Sequence, residues 1–398
     1  MKKLWQKNNQ NLDEFVEVFE TRDDLLLDEK LIPFDIRGSL AHAKMLKKIG
    51  ILTHNELKIL KSGLQVIFKL ANAGQFTLEI GDEDIHTKIE NYLTERYADV
   101  GKKIHTARSR NDQILTALRL FSKSELAKIQ KETLELIKTF KSFNEKYGLL
   151  DMPGYTHMQK AMPSSIGLWI ESFVSNLEDD LKIIQSAYGL INQSPLGSAA
   201  GYGVPVKIDK EYTAKLLGFT KVQENPIYCQ QSRGKFDAFI LASLVQILLT
   251  INKFAADVML FSTSEFGYLI PSSKITTGSS IMPQKINLDL AELLRSKVHL
   301  VLGNYVKLVS LSANLVSGYN RDLQDTKKPL IESLEVTLDS LIATRILLNN
   351  LTPNKEKLKN SMTEDLYATE KALKLTLKGQ SFRDAYRKIG SKLFKEKG

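Results

Sequence analysis

Apolar residues recur along this 398-residue chain at helical rather than strand spacing. Leu57, Leu60, Leu64, Ile67 and Phe68 share one helical face, as do Leu134, Ile137, Phe140 and, approximately, Phe143. The interval Phe236–Phe261 is apolar on nearly every face, with Phe239, Ile240, Leu241, Leu244, Ile247, Leu248, Ile251 and Phe254 in close succession. Such a helix must be buried, inside a bundle or between subunits. Two-residue alternation is scarce; Lys207-Ile208, after the Gly/Pro-rich turn Gly201–Pro205, is a short strand at most. None of the ten prolines falls between Phe34 and Met152, Ser164 and Ser194, Ile227 and Ile270, or Gln284 and Lys328, and those intervals carry the helical periodicity. The pattern predicts an all-α fold with long central helices. Polar segments bearing Gly or Pro punctuate it at 81–86, 105–113, 153–163, 194–205, 276–287 and 317–329. The expected division is an N-terminal helical domain over 1–107, a long-helix bundle and oligomerisation core over 108–346, and a short helical piece over 347–398.

Composition narrows the class. A chain 43% hydrophobic and 25% charged is ordinary for a soluble globular protein. The start, Met1-Lys2-Lys3-Leu4-Trp5-Gln6-Lys7, turns polar too soon for a secretory segment. The longest uncharged apolar run, Ala238–Asn252, is too short to span a bilayer. A single cysteine, Cys229, excludes an internal disulfide framework and a multi-cysteine zinc site. Together these predict a soluble cytoplasmic protein without a membrane partner. The net charge of +9 comes from lysines scattered over helical segments, with no block of five basic residues and no interleaved aromatics. That is a solvated surface rather than a nucleic-acid footprint.

The punctuating segments hold the candidate chemistry. Thr276–Asn287 combines Gly278, Ser279 and Ser280, Pro283 and Lys285 just before an apolar run that Asn287 or Asp289 could cap. It reads either as a connector or as an anion site beside a proton-transfer group, because helix N-termini carry unpaired N–H donors. His105–Gln113 places Arg108 and Arg110, two forks suited to carboxylates, at the head of a helix that Asn111 or Asp112 could cap. Asp82–His86 with Glu90 puts His86 and Glu90 on one helical face, a structural or substrate-orienting pair rather than a metal site. Pro153–Pro163 presents His157 in a proline-bounded turn beside Thr156 and Gln159. Tyr319, Leu323 and Lys327 follow at i, i+4 and i+8, which on one helix would align both polar tips.

In their order and wording these segments resemble the argininosuccinate lyases of the fumarase/aspartase superfamily. The resemblance runs from about Leu31 to the C-terminus. Gly278-Ser279-Ser280-x-Met282-Pro283-x-Lys285-x-Asn287 is the superfamily pattern, while Arg108-Ser109-Arg110-Asn111-Asp112-Gln113 and Tyr155-Thr156-His157-x-Gln159 narrow it to this lyase. It implies a long-helix bundle and cleavage of argininosuccinate to arginine and fumarate, without cofactor or metal. Ser279 and His157 match the catalytic pair, Glu292 the carboxylate orienting that histidine, and Lys285 the lysine near the substrate carboxylates. Asn111, Thr156, Asn287, Tyr319, Gln324 and Lys327 match substrate contacts, and His86, Arg108 and Arg110 further polar site positions. It also implies a homotetramer whose sites draw on three subunits. Alternatives are a related fumarate-releasing lyase, of adenylosuccinate lyase or aspartase type, and a structural paralogue such as a δ-crystallin. The chain departs from the family in several places. Trp5-Gln6-Lys7-Asn8-Asn9 stands for Trp-Gly-Gly-Arg-Phe, and no serine occurs in Phe19–Asp28, where a substrate-contacting one is expected. Ala107 replaces a glycine, which would constrain that turn, Ile286 and Leu288 replace Lys and Pro, and the end at Gly398 comes several tens of residues early.

Overall fold

A computed structural model describes residues 13–79 and 81–397, the side chains of 394–397 excepted. The departure at Trp5–Asn9 therefore lies outside the described residues. Among these the chain is predominantly helical. In order it runs α1 (Glu14–Thr21), α2 (Asp24–Glu29), α3 (Ile32–Lys48), α4 (His54–Asn72), α5 (Ile85–Tyr97), α6 (Asp99–Lys102) and α7 (Arg110–Tyr147). A hairpin follows, β1 (Asp151–Thr156) with β2 (Gln159–Ser165), then α8 (Ile166–Ile191), β3 (Gln193–Ser194), α9 (Lys210–Leu217), β4 (Lys221–Val222) and α10 (Pro226–Phe261). Next come β5 (Leu269–Pro271), β6 (Thr277–Gly278), β7 (Ile286–Asn287), α11 (Asp289–Leu311) and α12 (Lys327–Asn349). The chain closes with β8 (Leu351–Pro353), α13 (Lys355–Ser361), α14 (Ala368–Thr376) and α15 (Phe382–Lys397). The long helices anticipated from periodicity are α7 at 38 residues, α8 at 26, α10 at 36, and α11 and α12 at 23 each.

The residues cluster into two compact units, each assembled from three segments. Unit 1 holds 1–130, 182–245 and 299–336; unit 2 holds 131–181, 246–298 and 337–398. The core of unit 1 includes Ile36, Leu46, Leu60, Leu64, Ile67, Ile85, Ile89 and Leu93. The buried stripe of α4 is narrower than its sequence pattern, because Phe68 is exposed. A capping box fixes the start of α4: Thr53 Oγ1 accepts from Glu56 N, and the Glu56 carboxylate accepts from Thr53 N at 2.8 Å. Unit 2 is built round an aromatic cluster of Phe140, Trp169, Phe173, Phe254 and Phe261, with Phe140 and Phe254 edge to face at 5.0 Å. Leu134 stands outside it, exposed.

Helix α10 is apolar and long enough to cross a membrane by length and composition. More than half of that stretch is buried within the chain, as in Leu241, Leu244, Leu248 and Phe254, so it is a core helix. It bends at Arg233 and Gly234, whose backbones leave helical values. Gly234 has φ +77° and donates its N–H to Asp237 Oδ2 at 3.0 Å, and a Cβ there would come within 2.1 Å of Ser312 Oγ. Only glycine fits both the angle and the space.

Two readings of local structure are corrected. Lys207-Ile208 is not a strand. The proline-bounded turn 153–163 is instead a β-hairpin, paired from Asp151↔Ser165 to Thr156↔Gln159 with a bulge at Gly154/Tyr155. Pro153 and Pro163 face each other in that ladder, and the prolines with Gly154 erase the alternation that announces a strand.

Candidate active site

The sequence-derived candidates fall into two groups, one in each unit. In unit 1 a cavity of about 470 Å³ is lined by His86, Arg108, Arg110, Asn111, Tyr319, Gln324 and Lys327, all seven of the candidates that lie in that unit. Each is delivered by a separate local device.

Ser109, not Asn111 or Asp112, caps α7. Its Oγ accepts from Asn111 N at 3.3 Å, and Asp112 Oδ1 reaches back to Ser109 N at 3.0 Å. The other Asp112 oxygen accepts from Gly197 N and Ala199 N at 2.9 and 3.0 Å. One buried carboxylate thus locks the head of α7 to the 194–199 turn. Ala107, immediately before Arg108, sits at φ +59°, the left-handed region where glycine is favoured. The constraint expected of that substitution is therefore present.

Arg110 is gripped by acids: Nε donates to Asp84 Oδ2 at 2.6 Å and Nη1 to Glu83 Oε1 at 2.7 Å. Burial works against its charge, but Asp84 and Glu83 hold its pKa above the ordinary value. Arg108 donates to Ser39 Oγ at 2.9 Å, and burial pulls its pKa down despite Asp35, Asp112 and Glu90. His86 and Glu90 do not pair. His86 Nδ1 lies 2.9 Å from Asp35, and Glu90 lies 3.2 Å from His105 Nδ1.

Lys327, buried at the first turn of α12, donates to Asp24 at 2.7 Å and to Asp28. Burial opposes its charge and both acids raise its pKa, while the Asp24 pKa is raised chiefly by burial with Lys327 opposing. Tyr319 and Lys327 do not share a helical face, because Arg321–Thr326 is a 3₁₀ turn and Tyr319 precedes it; the fold nevertheless brings both to the cavity. Gln324 donates to Glu20 O at 2.7 Å. Sequence reading missed Asp24, Asp28, Glu83, Asp84, Arg233 and Arg321 in this lining. Asp24 and Asp28 lie inside the stretch where only a serine was sought, and their i, i+4 spacing on α2 is the signal that could have found them. Guanidinium and ammonium groups suit carboxylates, and carboxylates suit a guanidinium or amine. The cavity is therefore fitted to a small molecule bearing both signs of charge.

Unit 2 carries the other six candidates, Thr156, His157, Ser279, Lys285, Asn287 and Glu292. Thr156 ends β1 and His157 occupies the hairpin tip, both exposed. The hairpin body is anchored: the Tyr155 and Tyr268 hydroxyls are 2.7 Å apart, and Lys160 Nζ donates to Ser361 O at 2.6 Å. The two tip residues, His157 and Met158, have φ +51° and +61°, the turn type that normally takes Asn-Gly.

The loop 279–285 is closed by pairing of β6 with β7, and it too is largely exposed. Ser279 Oγ accepts from Ile281 N and Met282 N at 3.3 and 3.1 Å. Asn287 does not cap α11 but donates from Nδ2 to Gly278 O at 3.4 Å, and Asp289 accepts from Thr277 Oγ1 at 2.5 Å. Both side chains staple the loop base instead. Glu292 is exposed in the first turn of α11. Among the described residues no hydrogen bond or ion pair joins His157, Lys285 and Glu292.

Comparison with known proteins bears directly on this geometry. A family described as lyase matches residues 6–303. A protein of Thermotoga neapolitana described as argininosuccinate lyase is 46% identical over 395 residues, covering 99% of each chain. The chain belongs to the argininosuccinate lyase family. Another relative so described, from Parabacteroides distasonis, is 39% identical over 388 residues, covering 98% of this chain and 87% of that one. Among solved structures, EDDS lyase in complex with formate matches with TM-score 0.83 at 23% identity, covering 96% of this chain and 76% of that one. A protein described as fumarate lyase and delta crystallin, from Brucella melitensis, matches with TM-score 0.76 at 17% identity, over 96% and 92%. These two likenesses bear on the fold, the long-helix architecture of the fumarase/aspartase type. This argininosuccinate lyase family member is thus an enzyme of the lyase class.

Proposed function

We propose that the chain cleaves argininosuccinate to arginine and fumarate by β-elimination, a step of arginine biosynthesis. The observation that carries this reading is the mixed-charge cavity of unit 1, on a chain so close to relatives described as argininosuccinate lyases. The substrate has carboxylates for Arg108, Arg110 and Lys327, and a guanidinium for the acids that share the cavity. In the elimination a carbon-bound proton beside a carboxylate leaves, then the bond to the guanidinium nitrogen breaks. The carbanion between those events places extra charge on a carboxylate, where fixed cations and N–H dipoles are worth most. Ser279 and His157 are the proton-transfer pair, Glu292 orients His157, and Lys285 stabilises the developing charge. Asn111, Thr156, Asn287, Tyr319, Gln324, Lys327 and His86 hold the substrate.

The test is the purified protein with argininosuccinate, followed by fumarate absorbance, with adenylosuccinate and aspartate in parallel. Ser279→Ala is expected to lower kcat by roughly 10²–10³-fold with the helical circular dichroism intact. Near-wild-type fumarate release from that variant would sink the assignment.

The working form is a cytoplasmic homotetramer with residues 108–346 as its oligomerisation core. Exposed apolar side chains on the long helices support this, among them Leu168, Phe239, Leu249, Leu293, Leu300 and Val306. Sites that draw on several subunits would join one copy's first group to other copies' second group. A mixture of Ser279→Ala and Lys327→Met chains, reassembled together, then regains activity that neither has alone. Failure of every reassembled mixture to do so refutes sharing.

A further inference from the structure

Two carboxylates of unit 1 that line no part of the family motifs deserve separation. Asp28 holds Lys327, as described, whereas Asp35, on α3, faces His86. Asp35 Oδ1 lies 2.9 Å from His86 Nδ1, with the two residues 3% and 4% exposed. Asp35 Oδ2 is 3.5 Å from Ser39 Oγ, the oxygen that receives the Arg108 guanidinium. The opposite imidazole nitrogen, His86 Nε2, is buried and has no hydrogen-bond partner among the described residues, although the ring lines the cavity. A buried polar atom left open is unfavourable, and a ligand atom placed there removes that cost.

We propose that Asp35 is a positioning residue, which fixes the His86 ring through Nδ1 so that Nε2–H points into the cavity and donates to a carboxylate oxygen of the bound substrate. The inference rests on the proposed elimination, and it assigns Asp35 a part that the sequence motifs do not contain. With an ionised Asp35, Nδ1 carries a proton, so Nε2 donates only when the ring is charged. The charged groups around the ring are Asp28 from α2, Asp35 from α3 and Asp84 at the head of α5. The cavity lining adds His105, Arg108 and Arg110 before and at the start of α7, Lys327 of α12, and Asp24, Glu83, Arg233 and Arg321. Burial works against the imidazolium, but Asp35, Asp84 and Asp28 outweigh it and raise the pKa. The donor is therefore present below that raised value and is lost as pH rises through it. Removing the Asp35 charge moves the loss to lower pH.

Histidine-labelled protein gives the test by NMR, the His86 signal among the six histidines being assigned with His86→Gln. The wild-type ring is expected to titrate above the usual histidine range, and succinate is expected to shift its Nε2 resonance. In Asp35→Asn the titration falls by about one unit or more, the alkaline limb of kcat/KM falls with it, and KM rises by roughly tenfold with kcat changed less. Asp35→Glu retains the wild-type limb. A folded Asp35→Asn with unmoved titration and limb overturns the proposal. Should that variant not fold, a wild-type Nε2 resonance indifferent to succinate overturns it instead. Absence of fumarate release by the wild type would defeat the proposed reaction, while the titration and succinate arms still decide the role of Asp35.

Discussion

Replacing Lys327 by methionine strips the shared partner from two acids inside unit 1. Lys327 is 3% exposed in its side chain, Asp28 2% and Asp24 16%. Breaking a buried ion pair by removing one member typically costs about 3–5 kcal/mol. Asp28 keeps one other donor, Ile85 N at 3.2 Å, which puts the expected loss toward the lower half, about 3–4 kcal/mol. Unfolding entropy near 2.1 cal/mol/K per residue gives roughly 0.8 kcal/mol/K for the whole chain, so the melting temperature should fall by about 4–5 °C. The pH dependence has a definite sign. In the variant Asp24, whose pKa burial already raises, loses the opposing Lys327 charge, so its folded value rises further above the unfolded one. The folded state then holds more protons than the unfolded chain, and stability falls as pH rises through that interval. The deficit against wild type is therefore largest at pH 7 and shrinks on acidification towards pH 5. Urea unfolding at both pH values measures it, and Asp24→Asn in the Lys327→Met background should recover about half. A variant as stable as wild type at pH 7, or a deficit that does not change with pH, refutes the reasoning.

Asp112→Ala leaves three backbone N–H groups, the buried ones of Gly197 and Ala199 and the part-buried one of Ser109, without their acceptor. A loss of about 3–5 kcal/mol is expected in urea unfolding, together with weaker substrate binding because the head of α7 loses its lock. Ala107→Gly should stabilise by about 0.5–1 kcal/mol, the left-handed penalty less the entropy of glycine; a lower melting temperature would contradict it. Burial pushes the Asp180 carboxyl up to about 6, with the Thr250 hydroxyl donating to it at 2.8 Å. Between its unfolded value near 3.8 and 6 the folded state carries the extra proton, so stability falls as pH rises through that window. Asp180→Asn removes the effect and should gain about 1 kcal/mol at pH 7, discounted for solvent access, and nothing at pH 4. Paired denaturation curves at the two pH values check it.

The parts of the molecule that periodicity could reveal were legible. Helix α10 announced itself because burial on all sides leaves a run without polar interruption, and the polar segments 81–86, 105–113 and 317–329 stood out as interruptions. What the pattern could not show were pairings across the chain. Lys327 and Asp28 are 299 positions apart, and His86 and Asp35 are 51 apart. Neither leaves a periodic trace, because a buried acid is spaced like any other helix residue. The hairpin 151–165 was hidden by its own prolines. The cap of α7 was assigned to Asn111 or Asp112 although Ser109 holds it; the polar run 109–112 offers several capping side chains, and only the backbone shows where helix begins. The stretch Phe19–Asp28 lacks the serine expected there and instead supplies Asp24 and Asp28 to the cavity.

The hairpin tip has a consequence for anyone improving this protein. His157 and Met158 both occupy left-handed backbone, at a two-residue turn where Asn-Gly is the relaxed solution. A thermostability screen would favour that replacement early, since it relieves strain at an exposed site with no packing to disturb. Such a screen would be selecting away the proposed proton-transfer histidine. Heat resistance and turnover therefore compete at one position here, and libraries should hold residue 157 constant while the rest of the surface is varied.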